Sequence, residues 1–313
     1  MDVIRKEYSI PSASGVADLF IRCWCPDGEI KGVFQAVHGM AEHGERYEDM
    51  ARFMCERGLA FIIDDHVGHG KSVNTDDDLG YFGDKDGWNA LVEDERAVTE
   101  LIKKEFPGKP IIFYGHSMGS MIGREYIRRY GTDSDIKGAI ICGTSGKNPG
   151  ALAGIAIASI IAKVKGTRYR SKMIDNIAFG TYNKRVPVQR TPFDWLSTDE
   201  KQVDKYVADD YCGFLFTAAG FKDLFTLLNT ISSKSWYEGV NKNLPILLCA
   251  GQDDPVGAYS KGVHEVFNGL KGAGVQDVVI KIYPGMRHEI HNEVDNKKVY
   301  EDLTAWSLSK IEK

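Results

Sequence analysis

The chain has 313 residues, of which 43% are hydrophobic and 27% charged, and it carries a net charge of −5 at pH 7. That much apolar material excludes a disordered chain, and Lys and Arg dispersed on an acidic background offer no surface for nucleic acid. The length suits one large α/β domain with an insertion, or two domains.

The opening stretch MDVIRKEYSI has no apolar run of the kind a secretory signal needs, so none is expected. Residues 17–25 (ADLFIRCWC) alternate as a strand, with Phe20, Arg22 and Trp24 opposed to Leu19, Ile21 and Cys23. Further strands are predicted at 32–39 (GVFQAVHG) and 59–65 (LAFIIDD), on either side of a helix from Tyr47 to Arg57 that stops at Gly58. Asp76, Asp77 and Asp78 read as a solvated loop. A longer helix covers Trp88 to Phe106 and ends at Pro107-Gly108. A strand at 110–115 (PIIFYG), a helix from Ser117 to Tyr130 and a strand at 137–143 (KGAIICG) follow.

After Gly143 the alternation breaks. Residues 146–215 hold the apolar run ALAGIAIASIIA (151–162), a basic stretch and an aromatic-rich part, with no convincing central strand. Twelve apolar residues cannot span a bilayer, so no transmembrane segment is expected there. The pattern resumes with a helix near Phe221 to Ser232, a strand at 245–251 (PILLCAG), a helix from Tyr259 to Leu270, a strand at 277–285 (DVVIKIYPG) and a last helix from Asn292 to Ile311. Short apolar strands alternating with helices predict a mostly parallel sheet covered on both faces. Both flanks of the break belong to one alternation. Residues 1–145 and 216–313 are therefore expected to form one core, and 146–215 an inserted helical cap.

The six cysteines have no C-x-x-C spacing, and Cys142 and Cys249 lie inside apolar strands. They read as buried free thiols, Cys23 and Cys25 as structural, and the expected setting is a reducing, cytoplasmic one.

The chemistry begins at Gly115-His116-Ser117-Met118-Gly119, where a buried strand turns into a helix. Flanking glycines allow a turn tight enough to present Ser117 as a nucleophile; the bland reading is a serine N-cap. A serine hydroxyl needs a base, and the base a carboxylate that fixes its tautomer. Asp253 and Asp254 follow the strand PILLCAG, and His288 and His291 follow VVIKIYPG, all at the same sheet edge as Ser117. Asp254 and His288 are preferred over Asp253 and His291, while His264 falls within a helix. Two backbone amides are expected to hold the oxyanion, those of Met118 and of Met40 in AVHGM. A neutral His288 base also predicts an acidic limb in kcat/KM.

Together these residues resemble the α/β-hydrolase family, in its monoacylglycerol lipase and lysophospholipase branch. HGMAEHGERY (38–47), DDHVGHGKS (64–72), GHSMGS, GQDDP and YPGMRHEIHNE carry the likeness. It implies an α/β-hydrolase fold, a Ser117–Asp254–His288 triad, Met40 and Met118 as oxyanion donors, no cofactor, and a lipid or simple ester as substrate. The cap has no residue-by-residue match. Its apolar run is either an acyl-chain entrance that touches membrane surfaces transiently, or a helix buried for stability.

Three other readings stand beside this one. Asp64, Asp65, His66 and His69, with His38 and His43 upstream, could hold a metal, although that leaves Ser117, Asp254 and His288 unexplained. A small-molecule receptor on this fold would be expected to lack a triad member. A small-ester carboxylesterase or a proline-type aminopeptidase could carry the same triad.

Overall fold

The computed structural model describes residues 2–312; Met1 and Lys313, the outermost residues of the expected core, lie outside the described residues. Eight strands form one sheet: β1 (Val3–Pro11), β2 (Asp18–Pro26), β3 (Gly32–Val37), β4 (Leu59–Asp65), β5 (Ile111–His116), β6 (Ile136–Cys142), β7 (Ile246–Gly251) and β8 (Val278–Tyr283). Their order is β1-β2-β4-β3-β5-β6-β7-β8, with β1 and β2 antiparallel and the others parallel. β3, β4, β5 and β7 are buried at every residue, as runs such as LAFIIDD and ILLCAG require of a sheet covered on both faces.

Helices α1 (Glu48–Cys55) and α10 (Asn296–Ile311) help close one face over Phe34, Phe61, Tyr114 and Leu303. Helices α2 (Gly87–Glu105), α3 (Met118–Tyr130), α7 (Ala218–Ile231) and α9 (Lys261–Gly272) pack on the other, with Val98, Ile122, Leu227 and Val266 in its core. Between β6 and α7 lie α4 (Ala151–Lys165), α5 (Lys172–Phe179) and α6 (Glu200–Ala208). Among the described residues this stretch contributes no strand, only an isolated bridge from Arg170 to Thr217. α4 lies along α7. A short helix, α8 (Lys234–Gly239), follows α7 and buries Trp236.

Several expectations need correction. β1 was not predicted, because its central residues Arg5, Lys6 and Glu7 are exposed on an edge strand and mask any alternation. α8 was not predicted either. Asp78 is buried rather than solvated: its carboxylate accepts from Thr75 N–H (3.1 Å) and pairs with Arg168 (2.7 Å). α9 starts at Lys261 rather than Tyr259, because Ala258, Tyr259 and Ser260 have φ of 50°, 58° and 72° and form a left-handed turn. The six cysteines are free; Cys23 and Cys25 approach to 3.2 Å between sulfurs, and Cys142 is the cross-strand partner of Cys249.

Candidate active site

Ser117 stands where β5 passes into α3, with φ 54° and ψ −119°, a backbone state that a side chain adopts only when its surroundings enforce it. Those surroundings are two close backbone approaches. A Cβ at Gly119 would lie 2.2 Å from the Val37 carbonyl oxygen, and one at Gly115 would lie 2.3 Å from that of Gly119. No other residue fits at either position. The turn is pinned by Ser117 N–H donating to the Cys142 carbonyl (3.0 Å) and by Ser120 Oγ donating to the Ser117 carbonyl (2.5 Å). The serine is partly exposed in a cavity of about 590 Å³, within the range of small-molecule sites.

Parallel register brings the other two groups to the same edge. Asp254 follows β7 and His288 follows β8, two strands that pair along their whole length. His288 Nδ1 lies 2.9 Å from Asp254 Oδ1, which also accepts from Val256 N–H (2.8 Å). The carboxylate fixes the proton on Nδ1 and leaves the Nε2 lone pair free. Nε2 has no hydrogen-bond partner among the described residues, and His288 lines the cavity that holds Ser117. Met40 and Met118 line it as well, and neither of their amides donates to another group among the described residues.

The rivals go elsewhere. His291 is buried against Tyr47 (centroids 4.5 Å apart), and burial with His116 nearby lowers its pKa to about 3. Asp253 is exposed, and His264 borders a separate open depression. Asp64, His66 and Glu95 have ligand atoms within 4.8 Å of one another, but none of the three lines the cavity. Asp65 instead pairs with Arg22 (2.5 Å) and accepts from Gly44 N–H (2.8 Å), while the His66 ring lies over that of His38 (3.9 Å).

Sequence reasoning missed the polar network behind the site. Glu42 Oε1 accepts from Gly39 N–H (2.6 Å) and from Tyr47 Oη (3.0 Å), and it faces His116 Nδ1 at 3.4 Å. Arg46 bonds Glu42 and grips both oxygens of Glu289 (2.8 and 2.6 Å), next in the chain to His288. Burial works against charging these groups, but Arg46 and His116 beside Glu42 hold its carboxyl well below the usual range, and Arg46 lowers Glu289 in the same way. Burial likewise opposes the His116 imidazolium, yet its bond to Glu42 outweighs this and lifts its pKa to about 9. The Trp195 ring packs on His288 at 5.1 Å, and Arg287 donates to the carbonyls of Asp194 (2.6 Å) and Ser197 (2.9 Å). Glu42, Arg46 and Tyr47 lie inside one motif that could be read; His116 and Glu289 could not be joined to them, because they are 74 positions from Glu42 and 243 from Arg46. Met121, Phe179, Phe214, Leu224, Phe225 and Leu228 give the cavity an apolar side, and Ser145, Asn148, Lys172, Asp175, Asn176 and Gln189 add polar groups elsewhere in its wall.

This geometry has recognisable relatives. The model of the Hydrolase_4 family, described as serine aminopeptidase, S33, matches residues 28–295. A monoglyceride lipase of Homo sapiens is 28% identical over 303 residues, covering 92% of this chain and 86% of that protein. A monoacylglycerol lipase of Mycolicibacterium smegmatis is 28% identical over 311 residues, covering 98% of each. Among solved structures, a thermostable carboxyl esterase from Bacillus coagulans in complex with glycerol superposes with a TM-score of 0.91 at 32% identity, covering 98% of this chain and 99% of that one. The chain belongs to the serine aminopeptidase S33 family of α/β-hydrolases, and within it is similar to the monoacylglycerol lipases.

Proposed function

We propose that this protein is a serine hydrolase that cleaves carboxylic esters of the monoacylglycerol type through an acyl-enzyme. The observation that carries the reading is the Asp254–His288 pair, which leaves a free Nε2 in the same cavity as Ser117. Ser117 Oγ attacks the ester carbonyl as His288 Nε2 takes its proton. The amides of Met40 and Met118 receive the oxyanion, each donor being worth about 10²–10³ in rate. His288 returns the proton to the leaving alcohol, and water activated by the same imidazole releases the acid.

The apolar part of the wall suits an acyl chain, while Asn148, Asn176 and Gln189 offer hydrogen bonds to a polyol leaving group. An aminopeptidase, the activity in the family's description, needs an unpaired anion for the substrate ammonium. Of the three carboxylates that line this cavity, Glu42 and Glu289 are neutralised by Arg46, which leaves Asp175 as the one a substrate ammonium could meet, so the aminoacyl amide in the panel below decides between the two activities.

Residues 146–215 form the cap in this reading. On α4, Leu152, Ile160 and Val164 are 65%, 63% and 75% exposed beside Lys163 and Lys165, a surface suited to transient contact with a lipid interface. No helix among the described residues is long and apolar enough to cross a membrane. Six free thiols support a reducing, cytoplasmic setting.

The test is a substrate panel: short nitrophenyl esters, monoacylglycerols, lysophospholipids and an aminoacyl amide. The highest kcat/KM is expected on monoacylglycerols, with none above background in Ser117→Ala. A preference for the amide contradicts the ester assignment, and a preference for short esters contradicts the lipid one.

A further inference from the structure

The loop that carries Met40 is fastened to α6 and to the turn behind it. Ala41, the next residue, has φ 51°, a left-handed state that costs a residue with a Cβ free energy unless something holds it. Its carbonyl oxygen accepts two hydrogen bonds, from Tyr206 Oη (2.9 Å) and from Gly213 N–H (2.9 Å). A third tie lies two residues on, where His43 Nε2 meets Asp209 Oδ2 at 2.9 Å. Tyr206 is itself held, with its ring 5.0 Å from that of Phe193 and the Arg46 guanidinium 4.8 Å above it.

We infer that the segment from Tyr206 to Gly213 is a positioning element for catalysis: it holds the Ala41 peptide in its strained turn and thereby fixes the direction of the preceding Met40 amide. The inference rests on the reading that Met40 donates to the oxyanion. It makes the stretch between β6 and α7 part of the reaction geometry rather than only a cover. It also explains how alanine is tolerated at a position where the backbone favours glycine.

The inference is tested by a double-mutant cycle on a monoacylglycerol substrate. Tyr206→Phe keeps the ring and removes the hydroxyl. It should lower kcat about tenfold, the equivalent of one buried hydrogen bond, while KM stays within about twofold. Ala41→Gly removes the strain, since glycine takes the left-handed state freely. Adding Tyr206→Phe to Ala41→Gly should therefore cost less than about threefold. Asp209→Asn, which loosens the third tie, should lower kcat about threefold in the same sense, and it serves if Tyr206→Phe does not fold.

A Tyr206→Phe enzyme with kcat within about twofold of wild type overturns the inference, as does a loss of equal size in both backgrounds. A rise in KM at constant kcat overturns it too, because Tyr206 would then be a substrate contact. Ser117→Ala separates the two levels: hydrolysis surviving that change overturns the reading of the site itself, whereas its loss beside an unaffected Tyr206→Phe overturns only the tether.

Discussion

Replacing Arg46 by methionine should destabilise the fold by an amount that depends on pH. The side chain is 11% exposed and bonds two carboxylates that are 2% and 4% exposed, Glu42 and Glu289. Methionine keeps most of the volume but leaves both anions buried without their shared cation. Breaking a buried pair costs about 3–5 kcal/mol, and His116 still faces Glu42, so about 4 kcal/mol is expected at pH 7. Both carboxyls are held below 4.5 in the native protein, so the stability they confer is present above that value and is lost as pH falls through their folded pKa. Without Arg46 the two groups protonate more readily in the fold. The gap between wild type and variant should shrink to less than about 2 kcal/mol at pH 4. Urea denaturation at pH 4, 5.5 and 7 measures this, with a midpoint shift of about 1 M at pH 7. A shift under about 0.3 M at pH 7, or the same shift at every pH, would refute the claim that Arg46 neutralises both anions.

Three further outcomes follow from single features. Burial pushes the Asp223 carboxyl up to about 7 from 3.8. Because the folded pKa is raised, its contribution is complete below 3.8 and is lost as pH rises toward 7, costing about 3 kcal/mol between pH 5 and 8. Melting curves should show that loss, and Asp223→Asn should flatten it; equal slopes in the two proteins contradict the assignment. Gly119→Ala should fail to fold or lose all ester hydrolysis, because its Cβ would sit 2.2 and 2.5 Å from two backbone oxygens, and a variant with wild-type Tm and kcat contradicts that geometry. Ala258→Gly should raise Tm by about 2 °C by relieving a left-handed residue on an exposed turn, and an unchanged or lower Tm contradicts it.

What was legible in the sequence was local. The apolar run of β5 leading into a serine between two glycines, and the carboxylate and imidazole each just past a strand end, are patterns that each fit within about ten residues of chain. The parallel sheet then aligns them without further instruction. What was illegible depends on distant partners or on surface chemistry. β1 hides its alternation under charge at an edge. Arg46 and Glu289 are 243 positions apart, and neither alone suggests a buried ion pair. Ala41 carries no sign of a positive φ, because the residues that hold it, Tyr206 and Gly213, lie beyond β6 in a stretch without a recognisable pattern.

The central claim is that Ser117 Oγ is the nucleophile that takes the acyl group, and covalent trapping tests it most directly. The protein would be treated with an alkyl fluorophosphonate, digested, and its modified peptide mapped by mass spectrometry. One adduct is expected, on Ser117, formed at a rate that falls when His288 is replaced by glutamine and absent from Ser117→Ala. An adduct on another residue, or undiminished labelling of Ser117→Ala, would contradict the account.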